Sequence, residues 1–132
     1  MRRKGVLAAA VILAALTAAV LIARGKMPYQ DLKASEVVSA AVRLSPPDET
    51  VPIADPEELV ALLKKVVIYR EDNSYTEYSG QAVTFTLTMA DGSQEEITAY
   101  SPFLIVNGTG YRAKYEPCEQ LNRYANQLRN AG

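Results

Sequence analysis

The sequence predicts an α+β fold: an N-terminal transmembrane helix followed by a two-layer domain, with an antiparallel meander sheet covered by two amphipathic helices. Three observations predict it. Residues 5–23 are uncharged and mostly aliphatic, several later segments alternate apolar and polar residues between tight turns, and two segments carry apolar stripes at helical spacing. Strands joined by tight turns form a meander, and the two helices then cover its apolar face.

The N-terminal segment, residues 1–26, is predicted to be a signal anchor. Its 19 uncharged residues follow Arg2, Arg3 and Lys4, and a helix of that length spans about 28 Å, close to the thickness of the hydrocarbon core. The basic start favours a cytoplasmic N-terminus, so we expect a single-pass membrane protein whose C-terminal domain is extracytoplasmic. The alternative is a signal peptide cleaved before Lys26, which would release a secreted domain.

The composition beyond Lys26 excludes several classes of function. Nine basic and fifteen acidic side chains give this part a net charge of −6, which disfavours nucleic acid and anionic lipid headgroups as partners. The chain has no histidine and one cysteine. Catalytic triads built on imidazole, the commonest zinc sites and an internal disulfide are therefore excluded. We expect no cofactor and no bound metal.

Residues 27–35 are polar and are predicted to be a linker, so the domain itself covers residues 36–132. It begins with a strand over residues 36–44, because every second residue there is apolar. The apolar face of that strand is predicted to carry Val38, Ala40, Val42 and Leu44. Pro46 and Pro47 then end the strand, since proline cannot continue a strand ladder.

A short extended piece, residues 50–53, precedes the clearest helix of the sequence. Asp55 is a natural N-cap, Pro56 suits the first helical position, and Glu58 completes a capping box. The apolar stripe of this helix consists of Leu59, Leu62, Leu63 and Val66. Such a stripe predicts that one side of the helix faces a core.

The second half of the domain is predicted to be four strands and a closing helix. Residues 83–89 alternate apolar residues with threonines, which is typical of a half-buried strand. Asp91-Gly92 and Asn107-Gly108 are hairpin signals. The return strands are predicted over residues 95–100, 103–106 and 111–115, and the closing helix has a stripe of Cys118, Leu121, Ala125 and Leu128.

Catalytic chemistry has few candidates here, and we expect no catalytic residue. Glu71 and Asp72 are neighbouring carboxylates, and Cys118 lies in the first turn of a predicted helix, where the pKa of a thiol is lowered. These groups would serve the alternative function, a small cell-envelope hydrolase. Cys118 also lies on an apolar stripe and has no histidine as a base, so a buried structural role is favoured. The oxygen-bearing side chains of residues 71–74 do not follow the spacing of a calcium loop.

Tyrosines are the enrichment that points to recognition. Tyr69, Tyr75 and Tyr78 surround a polar segment that precedes the best strand. Tyrosine combines a large, rigid contact area with a polar tip, so these three residues are the predicted binding site. The alternative is ordinary packing, because tyrosine also favours strands and the rims of small sheets.

A pattern of turns and strands runs through residues 86–128. Its landmarks are Asp91-Gly92, Ile105, Asn107-Gly108, Gly110-Tyr111 and the stripe from Leu121 to Leu128. The pattern resembles a group of small uncharacterised extracytoplasmic domains of Gram-positive bacteria. Similar domains follow an N-terminal anchor or lipid signal, or form the outer domains of some membrane metalloprotease receptors related to beta-lactam sensors. The resemblance implies an architecture and an extracytoplasmic location, and it implies no catalytic residue.

These observations favour a membrane-anchored, extracytoplasmic, non-catalytic module that binds a cell-envelope ligand or a partner membrane protein. The membrane itself is the partner of the N-terminal helix. A hydrolase would instead require a concave pocket in which titratable groups converge.

Overall fold

Residues 25–131, the part of the chain that the computed structural model describes, contain seven strands, two α-helices and two short 3-10 helices, Ala34–Glu36 and Ser74–Glu77. The predicted α+β class is confirmed. The predicted transmembrane helix lies outside these residues, and within residues 25–131 no helix is both long enough and apolar enough to cross a membrane. The strands are β1 (Val37–Ser45), β2 (Glu49–Ile53), β3 (Ile68–Glu71), β4 (Ala82–Met89), β5 (Gln94–Tyr100), β6 (Phe103–Val106) and β7 (Thr109–Ala113), and the helices are α1 (Glu57–Leu63) and α2 (Tyr115–Ala131).

All seven strands form one antiparallel sheet in the order β2-β1-β4-β5-β6-β7-β3. Strands β4 to β7 are a meander, as predicted from their tight turns. Strand β3 precedes β4 in the chain, yet it pairs with β7 at the far edge of the sheet. The segment that joins β3 to β4 therefore has to cross several strands, and this crossing shapes the candidate site.

The helices cover one face of the sheet, which we call the helix face; the opposite one is the open face. Phe85 of β4 is fully buried on the helix face, where its ring stacks on Tyr124 of α2 at 6.2 Å. On the open face, the hydroxyl oxygens of Thr84 and Thr98 lie 2.9 Å apart. The alternation predicted for residues 83–89 thus separates core from surface as expected.

Helix α1 begins one residue later than its sequence predicts: Pro56, and not Asp55, is the N-cap, and no capping box with Glu58 forms. The carboxylate of Asp55 accepts a hydrogen bond from the backbone N–H of Glu57 at 3.0 Å, which satisfies a donor that the first turn leaves free. Leu59 and Leu63 are fully buried beneath the sheet. Because β2 and β3 lie at opposite edges, the connection through α1 spans the helix face from one edge toward the other.

The predicted apolar face of β1 is wrong at its first position. Val38 is 69% exposed, whereas its neighbour Val37 is buried. The pairing of β1 with β4 shifts register between Val37 and Ser39. Such a bulge inserts one residue and reverses the side on which the preceding side chains lie, so a period-two pattern cannot be extended through it.

Residues 27–35, predicted to be a linker, pack against the domain. Lys26 and Ile68 exchange two backbone hydrogen bonds, of 2.7 and 2.8 Å, at the edge of β3. Tyr29 is buried in the core, and its hydroxyl donates to the Glu95 carboxylate at 3.2 Å. The chain is therefore attached to the sheet from residue 26 onward.

Candidate functional site

The connection from β3 to β4, residues 72–81, lies across the open face, and we call it the strap. Gly110 of β7 is its main support: its N–H donates to the side-chain oxygen of Asn73, and its carbonyl accepts from the N–H of Asp72, both at 2.8 Å. A Cβ atom on Gly110 would lie 2.6 Å from the Asp72 carbonyl oxygen and 2.7 Å from the Tyr75 ring. Glycine is thus what allows the strap to lie directly on β7.

An ion pair fixes the start of the strap. Arg112 Nε donates to Asp72 Oδ2 at 2.9 Å, while Asp72 Oδ1 accepts from the N–H of Ser74 at the same distance. Hydrogen bonds from Ser74 and from the Arg112 guanidinium hold the pKa of Asp72 well below its usual range. The carboxylate oxygens of Asp72 are therefore committed to protein donors.

Phe103 brings two of the three predicted tyrosines together. The Tyr78 ring lies 5.1 Å and the Tyr75 ring 6.3 Å from it, both edge to face. The Arg112 guanidinium lies 4.6 Å from the centre of the Phe103 ring, and it donates to the Tyr78 hydroxyl at 3.3 Å. The strap thereby buries Phe103 completely on the face that the helices leave uncovered.

The third predicted tyrosine, Tyr69, lies apart from this cluster. It is 39% exposed on β3, where its ring approaches Gly25. The described aromatic contacts of the chain do not join it to Phe103. The structure therefore divides the predicted site into two tyrosines of the strap that pack on Phe103 and a single side chain at the edge of the sheet.

A groove of about 380 Å³ lies between the strap and the open face. Tyr75 of the strap and Tyr100 of β5 are its aromatic lining, Ile105 contributes a buried apolar surface, and Glu96 and Thr98 contribute polar groups. The remaining lining residues are Gly80, Ala82 and Gly108. Half of these eight residues come from predicted strands, but Tyr75 reaches the groove only because the strap crosses the sheet.

The candidate catalytic groups do not meet in this groove. Cys118 is fully buried, its thiol donates to the Phe103 carbonyl at 3.7 Å, and burial raises its pKa to about 12. A thiol in that state is a poor nucleophile. Asp72 is paired with Arg112, and its neighbour Glu71 is exposed at the end of β3; neither lines the groove.

Metal-binding groups are likewise not gathered. Within residues 25–131, no three acidic or cysteine side chains lie close enough together to hold a metal ion. Two of the side chains in residues 71–74 have their oxygens bound to protein donors: Asp72 accepts from Arg112 and Ser74, and Asn73 accepts from Gly110.

Comparison of this chain with protein-family models, curated proteins and solved structures found no match. The likeness to Gram-positive extracytoplasmic domains stays a prediction from the sequence. The groove, the strap and the distribution of charge are the features of the described residues that bear on function.

Proposed function

We propose that this chain is a membrane-anchored, extracytoplasmic, non-catalytic module that binds a cell-envelope ligand or a partner membrane protein in the groove beneath the strap. Residues 1–26 anchor it, and the described domain lies outside the membrane. The observation that carries the proposal is the groove itself, a concave surface with aromatic, apolar and polar lining held by a fixed strap.

The groove is organised before any ligand arrives. Tyr75 is held between Phe103 and Gly110, so its ring loses little freedom on binding. Tyr100 lies close to Gly80, where a Cβ atom would be 3.6 Å from the ring. Rigid aromatic walls reduce the entropic cost of association and offer flat surfaces for stacking.

The polar lining indicates what kind of ligand fits. The exposed Glu96 side chain is a hydrogen-bond acceptor with a negative charge, and it stands beside the apolar Ile105 and the Tyr75 ring. A ligand with apolar or ring faces and with hydroxyl or ammonium donors would complement this surface. Glycan and peptide components of a cell envelope have such groups.

The lining residues of the groove suit a binding site better than the active site of a hydrolase. Its lining includes one carboxylate, that of Glu96, whereas acid–base hydrolysis by carboxyl groups needs two that face one substrate. A ligand would therefore be held and released unchanged.

Affinity capture of the full-length chain from its native membranes tests the proposal. Wild type, Glu96→Lys and Glu36→Lys are compared; the last makes the same charge change at an exposed carboxylate outside the groove. We expect a partner or envelope fragment that is recovered with wild type and Glu36→Lys and reduced roughly tenfold with Glu96→Lys, as for a residue at the centre of an interface. Equal recovery with all three contradicts binding in the groove. A soluble chain that begins near residue 26 contradicts the anchor.

A further inference from the structure

Basic side chains are distributed unevenly over the described domain. Four arginines each form an ion pair with a carboxylate at 2.7 to 2.9 Å: Arg43, Arg112, Arg123 and Arg129. Within residues 25–131 the other six basic side chains form no ion pair. Five of these six, which we call the basic end, are Lys26, Lys64, Lys65, Arg70 and Lys114.

The backbone brings the basic end together around one segment, residues 64–70. Lys26 is hydrogen-bonded to Ile68 on both its N–H and its carbonyl. The N–H of Lys114 donates to the Val67 carbonyl at 2.9 Å. Lys64, Lys65 and Arg70 belong to the segment itself, and all five basic side chains are exposed.

Exposed aromatic rings accompany these charges. Tyr69 is next to Ile68 and Tyr115 is next to Lys114, and their side chains are 39% and 60% exposed. Glu116, which follows Tyr115, is paired with Arg123 at 2.7 Å. Glu71, which follows Arg70, is an exposed carboxylate at the margin of the basic end. Tyrosine beside lysine and arginine is the usual composition of a protein surface at the level of lipid headgroups.

Three acidic side chains, Glu36, Asp91 and Glu95, lie together near the opposite end of β5. Glu95 is the second residue of β5, and the strand ends at Tyr100. Tyr100 pairs with Phe103, and Phe103 pairs with Arg112. The next residue of β7, Ala113, pairs with Ile68 of the basic end. The length of β5 therefore separates Glu95 from the basic end, roughly 17 Å. This exceeds the screening length of about 8 Å at physiological salt, so the two ends act as separate charges.

We infer that the basic end faces the membrane and binds the anionic phospholipid headgroups of the leaflet from which the chain emerges. The inference rests on the anchor in the proposed function. Residue 26 is fixed on β3, so the proposed anchor would join the domain at the basic end and bring that surface close to the lipid. The net charge of −6, which disfavours anionic lipid as a partner of the whole domain, thus conceals a local surface of the opposite sign.

The test uses the full chain in lipid nanodiscs of phosphatidylcholine alone or with one quarter phosphatidylglycerol. Amide hydrogen exchange is followed at residues 64–70 and at Lys114 and Tyr115. We expect exchange there to slow in the anionic discs and to recover in high salt. Lys65→Glu should reduce this protection at least fivefold, because one basic side chain at an anionic surface contributes about fivefold and the variant also adds a negative charge.

Lys33→Glu is the matched control, because Lys33 is exposed, forms no described ion pair and lies outside the basic end. It should keep the full protection. The inference is overturned if exchange is the same in both kinds of disc, or if both variants lose protection equally. A chain that does not co-purify with nanodiscs of either kind refutes the anchor and with it the proposed function. This outcome is distinguishable from failure of the inference, because it does not depend on the lipid charge.

Discussion

Gly110→Ala tests whether the strap is held by close backbone approach. The new methyl group would lie 2.6 Å from the Asp72 carbonyl oxygen and within 2.8 Å of two ring carbons of Tyr75. Gly110 has an ordinary strand conformation, so alanine itself adds no backbone strain there. The cost is that of overpacking, about 1–3 kcal/mol. With a urea dependence of about 1.5 kcal/mol per molar for a domain of this size, we expect the unfolding midpoint to fall by roughly 1 M.

The measurement is urea unfolding of residues 25–132, followed by circular dichroism, together with hydrogen exchange in the strap. Gly92→Ala is the control: Gly92 has φ +89° and nothing within 4 Å of a Cβ atom, so alanine there costs about 1 kcal/mol of backbone strain far from the strap. Strap amides should exchange faster only in Gly110→Ala. An unchanged midpoint with equally protected strap amides would refute the reasoning.

Three further predictions concern other contacts. The pKa of Asp72 is lowered in the folded state, so this carboxylate stabilises the fold fully above about pH 4 and progressively less as the pH falls below that. The urea concentration at the unfolding midpoint should therefore fall less between pH 6 and pH 3 in Asp72→Asn than in wild type. An equal fall in both proteins would contradict this. Cys118, with its raised pKa, should resist iodoacetamide at pH 8 until urea unfolds the chain, whereas rapid alkylation of the folded chain would show that the thiol is accessible. Residues 36–132 should be about 2–4 kcal/mol less stable than residues 25–132, since they lack the buried Tyr29; equal melting temperatures would mean that residues 25–35 contribute nothing.

Local patterns predicted most of the elements, because their causes lie within a few residues. The hydrogen bond from Glu57 to Asp55, the threonine alternation of β4 and the Asp91-Gly92 turn each depend on neighbours in the chain. Asn107 and Gly108 have φ values of +49° and +90°, the left-handed conformation that an Asn-Gly hairpin turn requires. Secondary structure of this kind can be predicted without knowledge of the tertiary contacts.

Long-range pairing is where sequence patterns were insufficient. Nothing near Ile68 indicates that its partner is Ala113, and without that pairing the strap cannot be placed. The sequence therefore predicts Tyr75 and Tyr78 as binding residues but does not indicate that both rings pack on Phe103. The alternation of predicted strands could assign Thr98 and Tyr100 to one face, but the opposite wall of the groove depends on topology.

The pairing of β3 with β7 also has a consequence for the order of folding. Strands β4 to β7 join neighbours along the chain, so their contacts close short loops and can form early. Strand β3 must wait for residue 113 before it can pair, and the strap is fixed only after that. In a chain synthesised from its N-terminus, the edge strand leaves the ribosome well before its partner does. We therefore expect a late intermediate in which the meander is formed and the groove is still open.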